Sequence, residues 1–316
     1  MSTASFDTVT TLHPCGSEIE IVRELASTLG LSNKYVERPN DIYRKYFIKR
    51  AYATDGLVQE HLWAFPLEDT IKNYETYIDG IAGDIIMRST RVRPIHAEKY
   101  MDLQYLAKLF KKQFGFEYSW LKDYVEPKIW EEFKYSEHWA VEQLEKLPNN
   151  DNRMTYFLMN NRVRNGISIV PSNMLGRFVP EVIQPFFDDR IALFGLSLPL
   201  KYKFSFIYRS IIDAAYPEIS RIRSTSDEDL EKLKNYDVKI TRFDDNPREL
   251  INDYLSMSDA DKNYLIELLN TLEVPPFLDV KKFIHDEFTN PRMNRINTIV
   301  DMMLWYNLFI SKKLSI

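Results

Sequence analysis

The chain has 316 residues, of which 45% are hydrophobic and 28% charged, and its formal net charge is −5. Such a length and apolar content allow one large folded domain or two closely joined ones. The acidic balance argues against a general binder of nucleic acid or anionic membranes, because phosphate binding needs a concentrated positive surface.

Cysteine and histidine usage argues against several site classes. Cys15 is the single cysteine, so we expect no disulfide within the chain and a reducing, cytoplasmic location. The five histidines lack metal-ligand spacing, and the motifs of hydrolases, P-loop ATPases and dinucleotide-binding enzymes are absent. No apolar run reaches about 18 residues, so we expect neither a membrane span nor a membrane partner.

The first elements of the chain alternate between strands and helices. Residues 7–12 predict a strand, and a helix follows with capping-box spacing at Ser17 and Glu20 and a stop at Gly30. Residues 33–39 predict a second strand, residues 66–74 a short helix, and a third strand ends at Asp79. This alternation predicts a parallel sheet covered by helices up to about residue 95.

Beyond residue 95 the pattern becomes helical. Apolar residues recur at helical spacing from Leu103 to Phe114 and again from Leu265 to Leu272. We expect aromatic side chains in the middle of the chain to pack in a core; these are Trp120, Tyr124, Trp130, Phe133 and Trp139. Residues 226–249 predict a solvated, charged excursion. The expected division is therefore 1–95 and 96–316, packed as one integrated domain.

The stretch YIDGIAGDIIMRST, residues 77–90, places two of only nine glycines between two aspartates. Glycine tolerates positive φ and close approach of a ligand, and a turn from strand to helix directs backbone amides outward. Asp79, Gly80, Gly83 and Asp84 therefore predict an anion-binding turn whose carboxylates hold Mg²⁺ or orient an amine. The alternative is a tight turn with Asp84 as a helix N-cap.

A second stretch, residues 181–226, resembles the C-terminal synthetase domain of the asparagine synthetase family. In that family a Pro-Phe-x-Asp segment begins a helix that ends in a Ser-Leu-Pro turn, and a basic segment follows. The matching residues here are Pro185, Phe186, Asp188, Ser197, Leu198 and Pro199, then Tyr208-Arg209 and Tyr216-Pro217 through Arg223. Residues 77–90 are similar to the family's glycine loop, and residues 295–309 to its Trp-containing last helix. The resemblance spans about residues 10–310.

The resemblance implies a fold and a chemistry. The fold is a parallel sheet of the PP-loop nucleotide-binding type followed by a large helical region. The chemistry uses ATP and Mg²⁺ to activate a small carboxylate as an adenylate, which an amine then converts to an amide. The implied residues lie around one cleft, with catalytic roles for Asp84 and Arg223 and cofactor-binding roles for Asp79, Gly80, Gly83 and Asp188. No residue is assigned to a permanent metal site.

The chain departs from the family at the pyrophosphate loop. No Ser-Gly-Gly-x-Asp-Ser sequence is present. Residues 13–18, HPCGSE, are one candidate for a decayed loop; in the alignment that we prefer, the family's first strand, loop and helix are missing. Ile85 replaces a glutamate that commonly follows the loop aspartate, and Arg223 stands where the family places a lysine.

Two hypotheses of different classes follow from this resemblance. The first is an amide-forming ligase domain, inactive alone, that needs a separate polypeptide to supply the missing loop or the amine. The second is a non-catalytic module that keeps the fold to bind a partner or to serve a structural role. Neither involves nucleic acid.

Overall fold

The computed structural model describes residues 6–12, 19–56, 61–87, 102–114, 118–161, 174–203, 206–222, 257–287 and 293–314. Four short strands lie in this part of the chain: β1 (Asp7–Leu12), β2 (Ser32–Glu37), β3 (Thr76–Ile78) and β4 (Glu181–Ile183). All other described elements are helical. The predicted α/β class with a largely helical remainder is thereby confirmed, whereas a sheet of the PP-loop type is not established.

The first unit is β1, helix α1 (Ile19–Leu29) and β2, as the sequence predicts. The two strands pair in parallel, with Asp7 opposite Ser32 and Leu12 opposite Glu37. Helix α1 ends at Gly30, whose φ of 63° is the left-handed value that terminates helices. The amide of Leu31 then donates to the carbonyl of Ala26 at 2.9 Å. Ser17 of the predicted capping box lies outside the described residues.

The second pair of strands joins distant parts of the chain. β3 pairs in parallel with β4, with Tyr77 opposite Val182. The third predicted strand therefore exists, but within the described residues it pairs with a strand beyond residue 95 and not with β1. Residues 181–183 carried no strand prediction, because three residues are too few for an alternation signal.

Helices occupy the rest of the described chain. In the first third they are α2 (Ile42–Ala53), a 3₁₀ helix (Leu62–Leu67), α3 (Glu68–Ile71) and α4 (Gly83–Ile86). In the middle they are α5 (Leu103–Phe114), α6 (Pro127–Glu145), α7 (Arg153–Leu158), α8 (Asp189–Ser197), α9 (Phe206–Ala215) and α10 (Pro217–Ser220), together with three 3₁₀ helices (Tyr118–Asp123, Pro185–Phe187 and Leu200–Tyr202). At the end they are α11 (Asp259–Thr271), α12 (Val280–Glu287) and α13 (Met293–Trp305), and a π-helical turn (Tyr306–Ile310) extends α13.

The larger hydrophobic core packs helices α2, α11, α12 and α13 together. Both sheets lie against this core, through Val9 of β1, Val36 of β2, Tyr77 of β3 and Val182 of β4. One side chain from each strand thus contacts the same cluster. The two sheets are consequently neighbours on one core surface, although no strand of one pairs with a described strand of the other.

A smaller core lies between α4, α5, α6 and α7 and includes Leu200. Its buried members come from both sides of residue 95, for example Ile86 and Leu106. The larger core likewise joins α2 to α13. Each core thus draws on both of the predicted regions, and the proposed boundary itself falls outside the described residues.

The aromatic side chains predicted to pack in a core are divided between the two cores. Trp120 and Tyr124 both contact Phe283, with ring centroids 6.1 and 5.2 Å apart. Trp139 instead meets Phe157 of the smaller core and stays 37% exposed. The side chain of Phe133 and the charged segment 226–249 lie outside the described part of the chain.

A buried ion pair links the early helix α2 to the late helix α13. The Arg50 guanidinium, fully buried and 4.4 Å from the Phe47 ring centroid, donates to the Asp301 carboxylate. Burial raises the pKa of the Asp301 carboxyl, and the Arg50 charge opposes that rise. Because a buried charge without a counter-charge is strongly unfavourable, each partner depends on the other.

No described helix is both long and apolar enough to cross a lipid bilayer.

Replacing Asp301 with Asn should destabilise the fold by about 3–5 kcal/mol, because the Arg50 charge would stay buried without its counter-charge. Urea unfolding at pH 7 measures the change. The control is Asp69→Asn, which removes an exposed carboxylate paired with Lys72 and should have little effect. Equal effects of the two substitutions would contradict the buried pair's importance.

Candidate functional site

The two stretches singled out in the sequence meet in the structure. The β3–β4 pairing brings residues 76–78 alongside residues 181–183. The ladder continues one step further, since the amide of Asp79 donates to the carbonyl of Ile183 at 2.9 Å. The turn that follows β3 and the helix that follows β4 therefore start at the same edge of this small sheet, as expected at the carboxyl ends of parallel strands.

The Asp79 carboxylate accepts two hydrogen bonds within the turn that follows β3. Oδ1 accepts from the amide of Ile81 at 2.9 Å, and Oδ2 accepts from the Tyr77 hydroxyl at 3.1 Å. Burial, together with the Asp79 charge and this hydrogen bond, raises the pKa of Tyr77. Both carboxylate oxygens thus have partners within the turn, which is the Asx-turn geometry common after strands.

The left-handed residue of this turn is Ala82, with φ of 66° and ψ of −7°. Glycine tolerates positive φ, but neither Gly80 nor Gly83 has a φ in the left-handed range. A left-handed alanine is strained by about 1–2 kcal/mol. Ala82 is only 2% exposed and belongs to the smaller core, and that packing offsets the strain.

Gly83 is required for close packing. A Cβ atom at this position would lie 2.5 Å from Cε2 of Phe186. Gly195 of α8 makes a similar approach, because its Cβ would lie 2.5 Å from Cγ2 of Ile86 and 2.9 Å from Sδ of Met87. The loop expected to admit a ligand next to Gly83 is therefore contacted on this side by the protein's own Phe186 ring.

Asp84 is the second residue of the four-residue helix α4 and is exposed. The N-cap of this helix is Ala82, without a side-chain hydrogen bond, so the alternative with Asp84 as N-cap was wrong. Gly80 is also exposed, and a Cβ added there would meet no described atom within 4 Å beyond its chain neighbours. Asp84 and Gly80 thus lie on the solvent side of the turn, whereas Gly83 faces inward.

Asp188 caps helix α8. Its Oδ1 accepts from the amide of Arg190 at 3.0 Å, and the Arg190 guanidinium binds both carboxylate oxygens at 3.1 and 3.0 Å. These Arg190 contacts hold the pKa of the Asp188 carboxyl below its usual range. The helix runs from Asp189 to Ser197 and is followed by Leu198 and Pro199, which is the helix and turn that the resemblance predicts.

The structure thus brings five predicted site residues into one neighbourhood through β3–β4 pairing and the packing of α4 on α8. They are Asp79, Gly80, Gly83, Asp84 and Asp188. The sixth, Arg223, lies outside the described residues, as does the segment 13–18. The shared cleft with Arg223 therefore stays a prediction.

Two polar residues that sequence reasoning missed hold the turn after α8. Asn152 Nδ2 donates to the carbonyls of Leu196 and Leu198 at 3.2 and 2.7 Å. Asp151 Oδ2 accepts from the amide of Leu200 at 2.8 Å. The polar run NNDN at 149–152 was the available signal, but it indicates only a turn. Its distant partners come from the tertiary fold.

Lys203 is an unusual neighbour of this turn. Its side chain is fully buried, and among the residues that the structure describes its Nζ has no hydrogen-bond partner. Burial lowers the pKa of Lys203 to about 8, although the Asp151 charge works in the opposite direction. A buried lysine with a lowered pKa is either a functional amine or a structural cost.

The side chains of the described residues do not support a metal-binding site. Its residues contain no group of three or more His, Cys, Asp or Glu side chains placed to hold a metal ion. Of the predicted carboxylates, Asp79 and Asp188 are already engaged within their own turns.

Comparisons with protein-family models, with curated proteins and with solved structures gave no match for this chain.

Gly83→Ala should destabilise the fold by about 1–3 kcal/mol, because its methyl group would overlap the Phe186 ring. Gly80→Ala is the matched control and should change stability by at most about 0.5 kcal/mol, since its Cβ meets open space. Urea unfolding measures both. In a Phe186→Leu background the Gly83→Ala effect should shrink; an unchanged effect would show that the ring is not the cause.

Lys203→Met should stabilise the protein at pH 7 by about 1–3 kcal/mol, because it removes the penalty of burying an amine. The unfolded chain binds the Lys203 proton more tightly than the folded one, so wild-type stability should rise between pH 8 and pH 10.5. The advantage of the variant should therefore fall over the same range. Urea unfolding at pH 7 and pH 10 tests this, with exposed Lys281→Met as control. Destabilisation at pH 7 would instead indicate a charged, paired lysine.

Proposed function

We propose that the chain is an ATP-dependent amide-forming ligase domain of the asparagine synthetase type, built on a PP-loop sheet and incomplete by itself. The supporting observation is the junction of residues 77–87 with residues 181–200. These are the two stretches with the strongest resemblance to that family, and their meeting is what a shared site requires. On this proposal the substrate is a small carboxylate and the nucleophile an amine.

The described residues do not fit a complete site for ATP and Mg²⁺. Asp79 accepts two hydrogen bonds inside its turn, and Asp188 is bound by Arg190. Phe186 contacts Gly83 where a phosphate was expected to approach the backbone. Asp84 is exposed, but a carboxylate repels phosphate. These residues are therefore assigned no chemical step with ATP. On this proposal another polypeptide binds the phosphates.

On this proposal the chain contributes the backbone framework that positions the site residues. The β3–β4 edge sets the turn at Asp79, and the packing of Ile86 on Gly195 fixes α4 against α8. On this proposal Asp84, which is exposed on α4, orients an amine that arrives from solvent. A site built on paired strands and packed helices is held more rigidly than one on free loops.

A non-catalytic, partner-binding module is the second candidate. It is favoured by large apolar side chains exposed around the same junction. They are Ile78, Ile183, Leu193 and Phe194, each at least 40% exposed. Neighbouring exposed apolar side chains are typical of surfaces that bind another protein. This candidate predicts association with a partner but no turnover under any condition.

Labelled pyrophosphate exchange into ATP distinguishes the candidates. The chain alone, with Mg²⁺ and a panel of amino acids and small carboxylates, should show background exchange only. Each charged contact to a phosphate contributes about 1.5–3 kcal/mol, so losing a whole loop lowers the rate by orders of magnitude. Adding a fragment that carries a first strand, a Ser-Gly-Gly-x-Asp-Ser loop and its helix should produce exchange.

Asp84→Ala should then lower that exchange at least tenfold, whereas Asp69→Ala should leave it unchanged. Asp69 is a matched control because it too is exposed in the first turn of a four-residue helix. Strong exchange by the chain alone, lost in Asp84→Ala, would contradict the incomplete-domain proposal. Background exchange in every mixture would contradict the ligase proposal and favour the non-catalytic module.

A further inference from the structure

Three side-chain atoms near the turn that follows α8 are buried and have no hydrogen-bond partner in the described part of the chain. They are Nζ of Lys203, Oδ1 of Asn152 and Oγ1 of Thr155. Each of these residues is at most 3% exposed. Buried polar atoms in folded proteins almost always have a partner in the protein or in ordered water, because an unpaired one is costly. Three such atoms around one turn therefore point to a shared ligand.

The side-chain amide of Asn152 has one possible orientation. Its Nδ2 donates to the carbonyls of Leu196 and Leu198 at 3.2 and 2.7 Å. Exchanging the amide nitrogen for the oxygen would place an acceptor against two other acceptors. The atom without a partner is therefore the oxygen, which needs a hydrogen-bond donor.

Thr155 lies on the same side of α7 as Asn152. Asn152 is the N-cap of α7, and Thr155 follows three residues later in the first turn of the helix. Side chains three residues apart lie on one face of a helix and lean towards its start. The hydroxyl and the amide oxygen are consequently neighbours, although they do not hydrogen-bond to each other.

Lys203 is held next to the same end of α7. Its backbone amide donates to the carbonyl of Leu200 at 2.9 Å, and the amide of Leu200 donates to Asp151 Oδ2 at 2.8 Å. The charge of Asp151 also acts on the Lys203 amine and opposes the lowering of its pKa by burial. Nζ therefore lies within electrostatic reach of the residue before Asn152, but beyond a direct hydrogen bond.

We propose that one resident water molecule binds between Lys203, Asn152 and Thr155, where it accepts a hydrogen bond from Nζ and donates to Oδ1 and Oγ1. Three protein partners are usual for a buried water molecule. Polar groups too far apart for a direct hydrogen bond are often joined by such a bridge. The inference rests on these buried atoms and does not depend on the proposed function.

The chemistry of the surrounding groups favours a neutral occupant. A cation would lie against the Lys203 ammonium, whereas an anion would lie against the Asn152 oxygen and close to the Asp151 carboxylate. A water molecule both accepts and donates, so it satisfies all three atoms at once. Because the three atoms are sealed from solvent, the occupant must also be small.

The water molecule would join α7 to the turn after α8. Asn152 already holds this turn through its two direct hydrogen bonds, and the bridge adds an indirect link from Thr155 to Lys203. The resident water would thereby become part of the framework that holds α8, whose Gly195 packs on α4.

The direct test is a high-resolution crystal structure of the full chain, from crystals soaked in bromide. We expect a water oxygen at about 2.7–3.2 Å from all three atoms, with no anomalous bromide signal at its position. A bromide signal there would overturn the inference. Direct hydrogen bonds from Nζ to Oδ1 or Oγ1, with no density between them, would overturn it as well.

The test in solution is Thr155→Val, which replaces the hydroxyl with a methyl group of similar size. If the hydroxyl binds water, the urea midpoint should fall. Removing a hydroxyl that lacks any partner should instead leave the midpoint unchanged or raise it, because a buried unpaired group is lost. The reference is Thr54→Val, whose buried hydroxyl donates to the Arg50 carbonyl at 2.9 Å and whose midpoint should fall.

A double-mutant cycle with Lys203→Met tests whether the bridge is shared. The fall caused by Thr155→Val should shrink to about half or less in the Lys203→Met background, because the bridging water has already lost one partner. The fall caused by Thr54→Val should be the same in both backgrounds. An equal fall for Thr155→Val in both backgrounds, or no fall in the wild-type background, would overturn the inference.

Discussion

The organisation of the candidate site depends on a three-residue parallel pairing between β3 and β4. Thr76 and Glu181, opposite each other in this pairing, are 105 residues apart in the chain. The pairing aligns the turn after β3 with the helix after β4, so that Gly83 meets Phe186 and Ile86 meets Gly195. Both contacts are too close for any larger residue at the glycines, and the junction is therefore a tightly fitted unit.

The close packing of this junction determines which of its polar side chains are available to bind a ligand. Asp79 and Asp188, which the resemblance assigns to cofactor binding, hold a turn and cap a helix. Polar groups already hydrogen-bonded within the protein must lose those bonds before they bind a ligand, which weakens the ligand's net gain. In the described part of the site, the carboxylates of Asp79 and Asp188 are therefore bound within the protein itself. Lys203, whose Nζ has no hydrogen-bond partner among the described residues, is the exception.

The larger core gives both small sheets a common support. It is closed by the Arg50–Asp301 pair between α2 and α13, which joins a helix from the first sixth of the chain to the last described helix. Val9 and Tyr77 reach this core from different sheets. The two sheets therefore share one supporting core, although no strand of one pairs with a described strand of the other.

The sequence by itself determined the elements whose signals lie within a few residues of each other. Gly30 ends α1, and the spacing of Leu265, Leu268 and Leu272 marks α11, because caps and helix faces depend on near neighbours. The start of α8 at Asp188 was expected from the family resemblance. Only the tertiary structure decided the strand at 181–183, the left-handed Ala82 and the burial of Lys203. Each of these depends on partners far away in the chain: a paired strand, a surrounding core and a helix end. No local pattern of residues specifies such distant contacts.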